Sequence, residues 1–508
     1  MNFLRSESYK NGIVLSTGFN ILAKLVSFIN SIIVAYYFGT QGETDIYFYA
    51  LATIGLLITF VTALDHSVLI PESIRIREQE SGEKSMQFLN FFIYIYFGIG
   101  CLAVIILYIN PVTIFSFISK FDTKVLQSNI DLLYLIIPLC VLMLLTNYIV
   151  NILVSYKYFT MPMIAAFVNS LFSIFFVLIF HNQLDVKSIL LGLMFGYFLN
   201  ISFLFYILTK KLHWDFRFVK ISLRGKIIRN IFYAQAGNIT SLFVAYAPLY
   251  FLSGFNAGLI TALNYGRNTS DIPTQLITTQ VSSVSGIKFN ELYARKDFTG
   301  LNQKFVTTTN FLLFILMPIS GMFFLYSEEI ITILFKRGAF DVESVKMSAI
   351  FLKYLGFLLP CMIVNTMCAR LFMATQKIRE SFFYQIIFNL VLVALYPFLI
   401  HYYDVFGYMM AILLMYFLNV FFIHFLCKWL FKTIEYKQIL HNFLKLLLIN
   451  GVIITILFFL KSLMPYNPFS LLCVGGFVYM GFLIFLNYLF HINKDVTTLL
   501  QKKVKYGL

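Results

Sequence analysis

Three observations predict an all-α polytopic membrane protein of 14 transmembrane helices: two pseudo-symmetric six-helix lobes around a central cavity, plus two C-terminal helices. The first is composition. The 508 residues are 60% hydrophobic and only 12% charged, with a mean hydropathy of +0.82, whereas a soluble domain carries about 25% charged residues. The second is the recurrence of apolar runs close to the ~20 residues that cross a hydrocarbon core. The third is a weak echo of the first half of the chain in the second.

Windows of about 19 residues place spans at 12–38, 45–70, 86–109, 131–153, 160–181, 188–208, 229–252, 257–287, 305–326, 345–369, 381–400, 406–428, 443–462 and 469–491. The first two form a hairpin from Gly12 to Pro71, joined by the polar turn TQGET. Lys24, Asn30, Asp45 and Asp65 interrupt its apolar arms. A polar or ionisable group at that depth is expensive unless it faces a wet cavity or a partner. The eighth span, GLITALNYGRNTSDIPTQLITTQVSSVSGIKF, is the most polar. A structureless loop of that length is not tolerated in lipid, so a polar helix facing water is expected there.

Basic residues orient the chain. Most of the 38 Lys and Arg fall on one side, including Arg75, Arg77, Lys157 and the cluster from Lys210 to Arg229, while Lys120, Lys124, Lys187 and Lys336 fall on the other. The positive-inside rule then puts both termini in the cytoplasm. The net charge of +15 is thus spread through short loops beside anionic lipid and is not a nucleic-acid surface. The N-terminus MNFLRSESYKN has no small-residue cleavage site, so no signal peptide is expected. The six cysteines lie in or at the ends of apolar spans without metal-ligand spacing and read as small core residues.

The two halves echo each other in order: GFNILAK near Asn20 with AGNITSL near Asn238, and SVLIPES (67–73) with SVSGIKF (283–289). Such repeats are a transporter signature, with the binding site between the halves. The expected division is an N-lobe at 1–208, a basic linker at 209–228, a C-lobe at 229–428 and the last two spans with the tail at 429–508. The linker alternates basic and apolar residues from His213 and is expected to form an interfacial helix.

No phosphate-binding loop, nucleophile elbow or zinc motif is present, so an enzyme is not expected, nor a cofactor or metal. Transport energy would come from an ion gradient, the membrane potential or the substrate's own gradient. Lys24, Asn30 and Arg267 are the candidate substrate-binding residues; Asp45, Asp65 and Asp271 are candidates for gating or coupling. Each has a plainer alternative. Asp271 lies four residues after Arg267 on the same helical face and can neutralise it. Lys24 can snorkel to the surface. Asp45 can serve as a helix N-terminal charge, and Asp65 can pair with His66 at the interface. Several cations in one cavity favour an anionic, phosphate-bearing substrate. A cation-coupled multidrug or small-metabolite exporter of the same fold is the alternative, and it would line the cavity with acidic residues instead.

The segments FGTQGETDIYFYA, ILFKRGAFDVES (333–344), ARLFMATQKIRESF (369–382), FNLVLVALYPFLI with Asn389, and FGYMMAILLMYFLNV with Gly407 and Asn419 follow one another in the order and spacing of a known family. The chain resembles the MurJ/MviN lipid II flippases, members of the multidrug/oligosaccharidyl-lipid/polysaccharide exporter superfamily. The resemblance implies fourteen helices in two lobes around a V-shaped cavity, in a bacterial cell membrane. The implied substrate is an undecaprenyl-diphosphate-linked saccharide, lipid II or a related lipid-linked glycan, flipped from the cytoplasmic to the outer leaflet. Membrane potential or a coupling ion would drive the step. The family's arginine in span eight falls on Arg267, and its acidic residue opening span two falls on Asp45. Two arginines in span one fall on Lys24 and Asn30, and one in span two falls near Ile58. Lys24 keeps a cation but loses the bidentate fork.

Overall fold

The structure, a computed structural model, describes residues 9–219, 221, 225–463 and 467–490, with side chains from Gly18 onward except at 226, 230, 233, 234, 237 and 486–490. These residues are almost entirely α-helical, and no strand occurs among them. Ten of the described helices are long and apolar enough to cross a membrane, or 11 if a pair bent by 46° at Leu358 counts as one span. The 14 expected from hydropathy differ from this number at three places. The seventh span lies in Gly225–Leu252, of which only Asn238–Leu252 forms a shorter apolar stretch. The eighth is helical but too polar to qualify, running through Leu259–Pro273, Thr274–Thr278 and Thr279–Ala294. The eleventh and twelfth are merged in Ile378–Leu430, which leaves helical geometry at Asp404 (φ 50°). The Tyr384 hydroxyl donates to Asn419 Oδ1 at 2.8 Å, yet 35 residues of straight helix would hold them ~50 Å apart. The chain therefore doubles back at Asp404, and Gly407 sits against the Leu399 carbonyl where no Cβ fits.

Packing divides the chain into two compact units. The first holds residues 1–261 with Arg337–Asp341; the second holds Ala262–Lys336 and residues 342–508. In the first unit, turns from the two family-like segments lock together. Gly39 and Gly338 adopt left-handed φ of 55° and 56°. Ala339 N donates to the Tyr36 carbonyl at 2.8 Å, and a Cβ on either glycine would meet a backbone carbonyl. Only glycine takes that conformation at low cost. Gly338→Ala is therefore expected to cost about 1–3 kcal/mol and to lower the melting temperature. Gly55→Ala, which faces open space in a helix, should leave it unchanged.

The linker corrects one expectation. Residues 212–219 are not helical; residues 220 and 222–224 lie outside the described residues. Trp214 Nε1 donates to Asn90 Oδ1 at 2.6 Å, the Tyr94 hydroxyl donates to the Phe216 carbonyl at 2.6 Å, and Phe218 stacks on Phe91. Asp215 and Arg217, the alternate residues, pair with each other at 3.3 Å. Apolar and charged residues thus alternate with period two, the period of extended chain and not of a helix.

In the second unit, the main core joins Phe298–Phe335, Leu359–Ala374, Ile378–Leu430 and Tyr436–Leu463 through Leu312, Met367, Ile423 and Phe443. Pro468–Phe490 adds a smaller cluster through Leu471 and Tyr479 against Tyr326 and Ile453. Four of the cysteines, Cys140, Cys361, Cys368 and Cys427, are buried thiols.

Candidate functional site

Arg267 stands in Leu259–Pro273, inside the second unit. Its Nη2 donates to the Tyr408 hydroxyl at 3.2 Å, and Tyr396 packs on Tyr408 with ring centres 5.7 Å apart. Both tyrosines are essentially fully buried. Asp271 and Tyr396 also lie within electrostatic range of the guanidinium. The helix approaches Val342–Phe357 closely because residue 266 is glycine; a Cβ there would meet Phe351 and the Ser348 carbonyl at 2.6 and 2.7 Å. One donor of the half-buried guanidinium is thus fixed by a phenol, which holds the planar fork in one orientation. Three residues after Asp271 the helix enters a π turn at Thr274–Thr278, a feature found frequently at functional sites.

Asp45 belongs to the first unit. It opens the helix Gly42–Leu64, yet its carboxylate is aimed at a different helix. Oδ2 accepts from Gly258 N at 2.6 Å, and Oδ1 accepts from Thr261 N at 2.8 Å and from the Thr261 hydroxyl at 2.7 Å. Asp45 therefore caps the N-terminus of Leu259–Pro273, the helix that carries Arg267 six residues on. Gly258 has φ +91°, and a Cβ there would meet the Thr40 carbonyl at 2.8 Å. The aspartate is 2% exposed and all its donors are neutral.

Asp65 starts a second π turn, Asp65–Leu69. It is fully buried; Tyr96 donates to Oδ1 at 2.7 Å and Asn151 Nδ2 to Oδ2 at 2.8 Å. It forms no ion pair among the described residues, and the neighbouring His66 side chain is exposed. Lys24 and Asn30 share the helix Tyr9–Phe38. Lys24 is exposed. Asn30 is half-buried, with its Oδ1 lacking a hydrogen-bond partner.

Sequence reasoning found the charges and missed what holds them. Tyr408 and Tyr396 read as bulk among 32 tyrosines. The Asp45–Thr261 contact joins positions far apart in sequence, which no local pattern announces.

A multi-pass helical membrane protein with an arginine anchored on buried tyrosines inside a polar span is of the transporter class. The chain belongs to the lipid II flippase MurJ family, whose model matches residues 34–475. It is similar to the probable lipid II flippase MurJ of Borreliella burgdorferi, with 23% identity over 77% of each chain. It is likewise similar to that of Buchnera aphidicola subsp. Schizaphis graminum, with 22% identity over 96% of this chain and 97% of the relative. Among solved structures, lipid II flippase MurJ in an inward closed conformation matches with TM-score 0.79 and 20% identity, covering 93% of this chain and 99% of that one. An inward-facing MATE multidrug transporter of the MOP superfamily matches with TM-score 0.63 and 12% identity, covering 82% and 99%. These likenesses establish the fold.

Proposed function

We propose that this protein translocates lipid II, an undecaprenyl-diphosphate-linked saccharide, from the cytoplasmic to the outer leaflet of a bacterial inner membrane by alternating access. The observation that carries the reading is the family match across residues 34–475, joined to a cation held at Arg267 by Tyr408. In this reading Arg267 and Lys24 engage the diphosphate, and Asn30 is a further substrate-binding residue on the helix that carries Lys24. Asp45 acts by fixing the start of the Arg267 helix, Asp271 tunes the arginine's charge, and Asp65 is the coupling carboxylate. No enzymatic step is involved; a coupling ion or the membrane potential drives the cycle. Both termini face the cytoplasm, and residues 1–208 and 229–428 form the two repeated lobes.

Cation-coupled multidrug export is the weaker reading, because the charged side chain held within the polar eighth span by the buried Tyr408 is a cation, Arg267. The test is conditional depletion of a host's own lipid II flippase with this protein supplied in trans. Restored growth together with lipid II reaching the outer leaflet is the expected result. No rescue by a protein shown to be folded in the membrane would overturn the assignment to lipid II.

A further inference from the structure

The second unit contains a cavity of about 780 Å³ separate from the residues assigned above. Its walls come from Phe298–Phe335, Val342–Phe357 and Tyr436–Leu463. Phe324, Ile454, Phe458 and Phe459 make it largely apolar; Lys353 and Glu328 give it charge. A second lysine on the wall, Lys461, is already satisfied: Nζ lies 2.7 Å from Glu329 Oε1 and donates to the Leu325 carbonyl at 3.2 Å.

Lys353 is different. Its Nζ lies 4.7 Å from the ring centre of Phe324 and 5.7 Å from that of Tyr354. Among the described residues no carboxylate comes within ion-pair distance of it. Glu328 is exposed and likewise has no ion-pair partner. It stands four residues beyond Phe324, past the break in helical geometry at Tyr326 and nearer the helix end at Phe335. The cavity thus presents a cation beside Phe324, a carboxylate nearer the end of the same helix, and aromatic walls.

We propose that this cavity binds a phospholipid whose headgroup carries both a phosphate and a primary ammonium. The phosphate meets Lys353, the ammonium meets Glu328, and an acyl chain lies along Phe458 and Phe459. A lysine with no ion-pair partner at membrane depth is costly even over aromatic rings, which favours an anionic group there. A purely anionic headgroup would bring negative charge against Glu328, and a quaternary amine has no N–H to donate to it. The order also fits a leaflet, in which the phosphate lies deeper than the amine. A volume of this size is within the range of pockets that take small ligands.

The test is native mass spectrometry of the full-length protein, delipidated and titrated with phosphatidylethanolamine, phosphatidylglycerol or phosphatidylcholine. One phosphatidylethanolamine should bind at least roughly tenfold more tightly than either of the others, as expected for charge-assisted hydrogen bonds. Lys353→Ala should abolish that site, and Lys353→Arg should keep it. Glu328→Gln, at an exposed position that the fold does not need, should erase the preference over phosphatidylglycerol while leaving one lipid bound. Equal affinity of the wild type for the three lipids would overturn the proposal, as would undiminished preference in Glu328→Gln. Because lipid retention and not flipping is read, failure here leaves the lipid II assignment untouched.

Discussion

Arg267→Ala is expected to eliminate rescue of a host depleted of its lipid II flippase, while the variant accumulates in the membrane at the wild-type level. The guanidinium is held at one donor by Tyr408, which leaves the rest of the fork available to a phosphate. Hydrogen bonds to charged groups contribute about 1.5–3 kcal/mol each, so losing even one weakens substrate engagement by roughly 10- to 150-fold. Arg267→Lys keeps the charge but forfeits the planar fork; partial rescue is expected, with growth recovering only when expression is raised. Tyr408→Phe removes the anchoring hydroxyl and nothing else, so it should fall between the two. Measuring growth together with lipid II accessible at the outer leaflet separates these outcomes. Normal growth on Arg267→Ala would mean that the arginine serves only to satisfy Asp271 and Tyr408, and the substrate role would be withdrawn.

How far such residues were legible in the sequence depends on the range over which their partners act. Arg267 stands out because a cation in a span is rare and costly, and that signal is local. Its anchors Tyr408 and Tyr396 carry no such signal, since a tyrosine in an apolar span is cheap whether or not its hydroxyl has a task. The polar eighth span was readable as a helix from the cost of bare backbone in lipid, and 259–294 is helical throughout. The π turns at Asp65 and Thr274 were not readable, because an extra residue in one turn leaves composition and mean periodicity almost unchanged. The linker departs from the expected helix for a definite reason. Trp214, Phe216 and Phe218 recur every second residue, the period of extended chain, and lie along Gly82–Ile109. The reversal at Asp404 shows the opposite case: the gap between the expected spans 381–400 and 406–428 falls where the chain leaves helical geometry.

Asp45 provides the second large effect, and its substitutions separate a cap from a proton carrier. Its two oxygens accept three hydrogen bonds from Gly258 and Thr261, and no cation among the described residues pairs with it. Asp45→Ala strips the cap from Leu259–Pro273 and leaves buried N–H groups unsatisfied. Caps contribute up to about 2 kcal/mol and each buried orphan donor costs about 1–3 kcal/mol. The expected result is a destabilisation of several kcal/mol, read as a lower melting temperature and reduced accumulation. Asp45→Asn is the more telling variant. Its single carbonyl oxygen can still accept from Thr261, but its amide then turns N–H toward the Gly258 N–H, so the melting temperature should fall again, by less than in the alanine variant. A residue that acts only by binding and releasing a proton predicts something else: Asn would mimic its protonated form, leave the fold intact and arrest transport alone. A drop in stability that tracks the loss of rescue across Ala and Asn assigns Asp45 to holding the Arg267 helix in place. Wild-type stability of Asp45→Asn with no rescue would move it to the coupling step beside Asp65.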